Sequence, residues 1–163
     1  MAKLEPVGLD FLDRADHVVS TEVDIAASRD EVWTALVDNA GWADWFACSA
    51  CSGVPATWSS PGDTRTIKIY PLTVDEIAVE LDAPSHWAMT IVGTNLPTWT
   101  HGLEMVELFD TTRQGETRTE LRWTGAFTFH WTAKPLAAMV LRRTAAAWGE
   151  GFEELSTYLA ARR

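Results

Sequence analysis

The C-terminal stretch 132–161 constrains the fold more than any other part of this chain. Leu141, Ala145, Trp148, Phe152, Leu155 and Leu159 recur at spacings of three or four, while Arg142, Arg143, Glu150, Glu153 and Glu154 fall mostly elsewhere around the turn. Pro135 stands near the start, where a missing amide hydrogen costs little because no intrahelical partner awaits it. The spacing therefore predicts one long amphipathic helix. Its apolar stripe needs a larger surface to cover, and the rest of the chain must supply it.

That surface reads as an antiparallel sheet. Residues 17–25 alternate with Val19, Thr21, Val23 and Ile25 on one side, a first strand. Ser28 with Glu31 three residues on forms a capping box, so a helix starts there and carries Val32, Trp33, Leu36 and Val37. Asn39 to Gly41 interrupts it before Trp42 and Trp45 open a second short helix. Beyond Cys51 come strand-length segments at about 64–70, 74–81, 86–92, 103–109 and 117–127, separated by turns that include Gln114-Gly115. Short strands joined by tight turns predict a meander of about six or seven antiparallel strands packed on the final helix, an α+β arrangement.

Composition bounds the function. The chain has 163 residues, which suits a single domain over 1–163 with its core at about 17–161. Its formal charge of −10 repels phosphate backbones and anionic headgroups, which argues against nucleic acid as a partner. No apolar run is long enough to span a bilayer and the N-terminus lacks a signal-peptide pattern, so stable membrane insertion is not expected and a cytoplasmic location is. Cys48 and Cys51 share a Cys-x-x-Cys spacing, yet no second pair of ligands accompanies them and His17, His86, His101 and His130 are scattered. Two reduced, partly buried thiols are expected, with no metal and no cofactor. The oligomeric state is not encoded in any feature of the sequence.

Four segments carry a family likeness: Val23-Asp-Ile-Ala-Ala-Ser-Arg-Asp-Glu-Val-Trp33, Asp38 with Trp42-Ala-Asp-Trp45, Gly62-Asp-Thr-Arg65, and Gly115-Glu-Thr-Arg-Thr-Glu-Leu-Arg-Trp123. With the element order, they make the chain from Val18 to Leu159 resemble the SRPBCC superfamily, and within it the bacterial polyketide cyclase/dehydrase and lipid-transport family, relatives of START domains and birch-pollen-type allergens. The resemblance implies a helix-grip fold, in which a curved antiparallel sheet wraps around the long C-terminal helix. It also implies a cavity between sheet and helix, closed at one end by the two short helices. Trp33, Trp42 and Trp45 would then be mainly structural, plugging the cavity floor with large, rigid side chains. Fold is specified by these motifs; chemistry is not, because the superfamily shares no catalytic motif.

An apolar pocket needs aliphatic and aromatic walls with a few orienting polar groups. Trp87, Met89 and Ile91 share one strand face and are expected to point inward, as are Leu103, Met105, Leu121, Trp123 and, from the helix, Met139. Ordinary core is the competing role for each. Polar candidates are Arg65, Tyr70, Glu76, Trp99, His101 and His130. Arg65 has the parity of Ile67 and Ile69 and can reach a ligand from the rim, although a surface salt bridge is the simpler expectation. Strand alternation puts Glu76 in solvent, opposite Ile77 and Val79; in the resembling family an acidic residue often recurs in this strand. His101 lies where polar groups overhang a pocket mouth and is the candidate general acid or base.

Three functions fit these residues. The first is binding of a hydrophobic small molecule such as a polyketide, lipid or aromatic metabolite. In the second, a cyclase, aromatase or dehydratase holds a polyketide chain in a reactive conformer while a histidine or acid moves a proton. The third is a structural or regulatory protein with a filled core. No phosphate loop, nucleophile elbow or zinc-protease motif supports another enzyme class.

Overall fold

The computed structural model describes residues 1–48, 50–69, 72–95 and 99–163. Strands β1 (Ala2–Lys3), β2 (His17–Ile25), β3 (Ala50–Val54), β4 (Thr64–Ile69), β5 (Leu72–Asp82), β6 (His86–Thr94), β7 (Trp99–Arg113) and β8 (Glu116–Phe129) form one antiparallel sheet. Its order is β2-β8-β7-β6-β5-β4-β3, with the short β1 paired to β6. Helices α1 (Arg29–Val37) and α2 (Ala137–Ala160) complete the core, and the curved sheet grips α2 as a helix-grip fold requires.

Local chemistry explains the joints. Ser28 closes the expected capping box on α1: its Oγ accepts from Glu31 N–H at 3.4 Å while its own N–H donates to Glu31 Oε2 at 2.8 Å. Arg163 also donates to the Glu31 carboxylate, and this bond foremost, with those from Ser28 after it, holds the Glu31 pKa down at about 2. Gln114 and Gly115 both take positive φ, 54° and 82°, the geometry of a tight turn that matches the twist of β7 and β8. The final helix begins at Ala137 rather than 132, because 134–136 is a 3-10 turn containing Pro135, with Leu136 N–H bonded to Ala133 O.

Sheet register divides the side chains into two faces. On the concave face Thr21, Val23 and Ile25 stand opposite Trp123, Leu121 and Thr119. Val106 and Leu108 of β7 stand opposite Trp123 and Leu121 of β8, and Trp87 of β6 opposite Val106. The convex face has a small core of its own. A 3-10 helix at Leu9–Asp13 lays Phe11 over Leu103 and Ala126. Between α1 and the sheet, the 3-10 turn Gly41–Asp44 buries Trp42, whose Nε1 donates to Leu36 O at 2.8 Å. Trp42, Trp45 and Phe46 pack as one aromatic wedge under α2, and Gly151 of α2 has no Cβ where one would strike the Phe46 ring.

Candidate functional site

The interior between the sheet and α2 has a filled part and an open part, and both are built on β4, β5 and β6. In the filled part Arg65 is only 1% exposed. Its Nε and Nη2 donate to Glu76 Oε2 at 2.9 and 2.6 Å, and Nη2 also approaches Met89 Sδ at 3.0 Å. The guanidinium carbon lies 4.0 Å from the ring centroid of Trp42, 4.3 Å from Trp58 and 5.2 Å from Trp87. Arg65 is therefore a buried cation solvated by one carboxylate and three indoles rather than the partner in a surface salt bridge. Burial pushes the Glu76 carboxyl up, and Arg65 opposes that push as its permanent counterion.

Glu76 is 2% exposed, which corrects the expectation of a solvent-facing side chain. The alternation of β5 is unbroken from Val74 to Ala78, and its inward side is that of Val74, Glu76 and Ala78 rather than that of Ile77 and Val79. Val74, Glu76 and Ala78 turn inward against Ile67, Arg65 and Met89 of the neighbouring strands.

The open part is a cavity of about 350 Å³ between α2 and the sheet. Ile67, Ile69, Ile91 and Val74 form its sheet wall; Met139, Val140 and Trp148 form its helix wall; Phe46 and Trp99 contribute aromatic faces. Glu76 and Glu104 reach it from the sheet, while Arg143 and Thr144 reach it from α2. Glu104 is 4% exposed, and Trp123 Nε1 donates to its Oε2 at 3.4 Å. Desolvation first, and the nearby Glu76 charge second, raise its pKa to about 8, against the smaller downward pull of the Trp123 bond, Arg65 and Trp148. Near neutral pH Glu104 is a neutral acid in an apolar wall, able both to accept and to donate a hydrogen bond.

The residues singled out from the sequence separate into three groups. Ile91, Trp99 and Met139 border the cavity. Trp87, Met89, Leu121 and Trp123 belong to the packed core on the concave face, with Arg65 among them. Leu103, Met105 and His101 are on the other face of the sheet, contrary to the inward placement expected for Leu103 and Met105. Leu103 packs under Phe11, Met105 stands opposite Thr124, and the His101 ring lies 5.8 Å from that of Phe11. His101 is instead part of a shallow surface cleft with Lys3, Glu5 and His130, and His130 is exposed, bonded through Nδ1 to Thr132 Oγ1. Tyr70 lies outside the described residues. Trp42 and Trp45 are buried, and Trp33, partly buried, meets Trp87 edge-on at 6.5 Å.

Sequence reasoning passed over Glu104 and Trp58, and took Trp148 only as part of the apolar stripe of the final helix. The signal for Glu104 was its parity with Val106 and Leu108, which competed with that of Leu103 and Met105. Cys48 and Cys51 are free thiols, partly buried, and burial pushes Cys51 up to about 12 and raises Cys48 as well. Such thiols are poor nucleophiles and poor ligands at neutral pH. Among the described residues no group of three or more His, Cys, Asp or Glu side chains is placed to hold a metal ion, and no helix is long and apolar enough to cross a membrane.

The sequence profile of a family described as polyketide cyclase / dehydrase and lipid transport matches residues 16–159. No curated protein matches the sequence. Among solved structures, XoxI from Bacillus cereus is similar over 88% of this chain and 95% of its own, at 16% identity and a TM-score of 0.68. A protein from Nitrosospira multiformis is similar over 90% of this chain and all of its own, at 13% identity and a TM-score of 0.70. A conserved protein from Geobacillus kaustophilus covers 89% of this chain and 96% of its own, at 12% identity and a TM-score of 0.68. Likeness at these identities is a likeness of fold.

Proposed function

Because the chain belongs to the polyketide cyclase/dehydrase and lipid-transport family, we propose that it binds a hydrophobic small molecule, a polyketide, lipid or aromatic metabolite, in the cavity between the sheet and α2. One observation carries this reading: the open space of about 350 Å³ is walled by aliphatic and aromatic side chains with a few polar groups among them. The indole N–H of Trp99 has no partner among the described residues and would orient an oxygen of the guest. The acidic surface fits a cytoplasmic carrier that avoids nucleic acid and does not insert in membranes.

The test is thermal stabilisation. A ligand selective for the folded state raises Tm by mass action, and a guest beside Trp99 and Trp148 quenches tryptophan fluorescence. Ala147, on the cavity wall and exposed on α2, is the position to fill. Ala147→Trp should leave the fold intact and abolish both signals. If a broad hydrophobic library moves neither Tm nor fluorescence, the filled-core reading replaces this one. A second reading, cyclase or dehydratase chemistry, is favoured by the neutral Glu104 acid at the cavity wall, a proton donor near physiological pH in a place His101 does not reach.

A further inference from the structure

The filled and open parts of the interior have the same ingredients except one. Around Arg65 a buried carboxylate and indole faces surround a cation. Around Glu104 there is again a buried carboxyl, with the aromatic faces of Trp148, Phe46 and Trp99 on the same cavity, but among the described residues no cation stands within ion-pair distance of it. Among the described residues no ion pair reaches Glu104. Arg65 is committed to Glu76, and Arg143, an exposed residue of α2, lines the same cavity without an ion pair to Glu104. The charged groups facing Glu104 are thus Arg65 from β4, Glu76 from β5 and Arg143 from α2, with Trp123 of β8 and Trp148 of α2 presenting indole N–H groups.

We propose that the guest of this cavity is a lipophilic amine, whose ammonium group pairs with Glu104 while its apolar body fills the space under α2. The proposal rests on the hydrophobic-binding reading above and narrows it to one chemical class. When Glu104 ionises it has no counterion at ion-pair distance among the described residues, because Arg65 is bonded to Glu76 and Arg143, an exposed residue of α2, makes no ion pair with it. An ammonium supplies that counterion and lies against aromatic faces, the environment in which this core already holds Arg65. The formal charge of −10 draws cations toward the protein and repels fatty acids and other anions. Proton balance follows directly. The free protein holds Glu104 as the acid and the amine arrives as an ammonium, so forming the ion pair releases the Glu104 proton to solvent.

Isothermal titration calorimetry of the full chain with 2-(1-naphthyl)ethylamine and with its isosteric alcohol, 2-(1-naphthyl)ethanol, tests this. At pH 7, titration in two buffers of different ionisation enthalpy should show release of about one proton per amine bound and none for the alcohol. The amine should bind at least about tenfold more tightly than the alcohol. Glu104→Gln, isosteric with the neutral acid, should remove both the preference for the amine over the alcohol and the proton release. An alcohol that binds as well as the amine, or an amine that binds the wild type and Glu104→Gln alike, overturns the amine proposal and leaves the hydrophobic cavity standing. If neither compound, nor any other hydrophobic probe, binds, both fail together.

Discussion

Arg65 and the cavity meet at Glu76, and the two sides of that carboxylate differ in one respect. On the Arg65 side, Trp42, Trp58 and Trp87 close around a cation and leave no room for a guest; on the Glu104 side, Trp148, Phe46 and Trp99 border a space of about 350 Å³. The difference lies in the tryptophans contributed by residues 42–58 and by β6. Trp42 packs against Trp45, Trp87 and Trp148 beside Arg65, and neither Trp42 nor Trp45 lines the cavity. An ion pair buried so completely gives little net stability, yet removal of one member is costly because the other is left charged in an apolar medium. The packed side is therefore the fragile one to charge changes and the open side the tolerant one.

The largest effect expected is at Arg65. Arg65→Met keeps the apolar stem but strands Glu76, and should cost about 3–5 kcal/mol in urea unfolding. Adding Glu76→Gln should restore most of that loss, since the pair is then removed together. If the single variant is as stable as wild type, Glu76 is already neutral and the filled side is not held by a charge.

Glu104 gives the next effect, and its sign is fixed by the direction of the shift. Its pKa is about 8 in the fold against 4.5 as the ordinary value, so between those two values the folded state holds a proton that the unfolded state has lost. Stability from this group is full below about 4.5 and declines as pH rises toward about 8, by a few kcal/mol in order of magnitude. Glu104→Gln should flatten that decline and be more stable than wild type at pH 9. A wild-type stability that rises across this range, with the variant following the same curve, would show that Glu104 is ionised and solvated.

Most of the architecture was legible because its signals are periodic. The α2 stripe, the β2 alternation, the Ser28 capping box and the Gln114-Gly115 turn each depend on residues close in sequence, and each appears as expected. The candidate site was less legible because strand parity decides it. In β7, Leu103 and Met105 argue for one face and Val106 and Leu108 for the other; only the pairing with Trp123 and Leu121, and Phe11 covering Leu103 from outside, settle which is inner. In β5 the apolar Ile77 and Val79 argue for one face and Val74 and Ala78 for the other, and the pairing of Val74 with Ile67 and of Glu76 with Arg65 puts Glu76 inside. The strand β3 has no run of apolar residues to announce it, and its pairing with β4 is visible only in space.

Trp42 tests the wedge itself. The ring is fully buried, packs against Trp45, Phe46, Trp87 and Trp148, and donates its N–H to Leu36 O. Trp42→Phe should cost about 1–3 kcal/mol, through lost ring volume and an unpaired carbonyl, and should extend the cavity toward Arg65 so that bulkier guests are accepted. A variant with unchanged stability and unchanged size selection would mean that the wedge does not set the end of the cavity.

The smallest effect on stability, and the sharpest contrast, is expected at Met139. This side chain borders the cavity from α2 yet is 42% exposed, so its truncation removes little that the folded chain needs. Met139→Ala should change the unfolding free energy by less than about 0.5 kcal/mol, in the range of surface substitutions, and alanine is if anything the better helix former. Its effect should appear instead in binding, because a flexible thioether at the mouth covers an apolar guest from solvent. A guest that stabilises the wild type should bind Met139→Ala several-fold more weakly, with the loss mainly in a faster off-rate. Equal affinity for both proteins would move the point of entry away from the start of α2 and toward the edge of the sheet near Ile69 and Leu72, which border the same space from the opposite side.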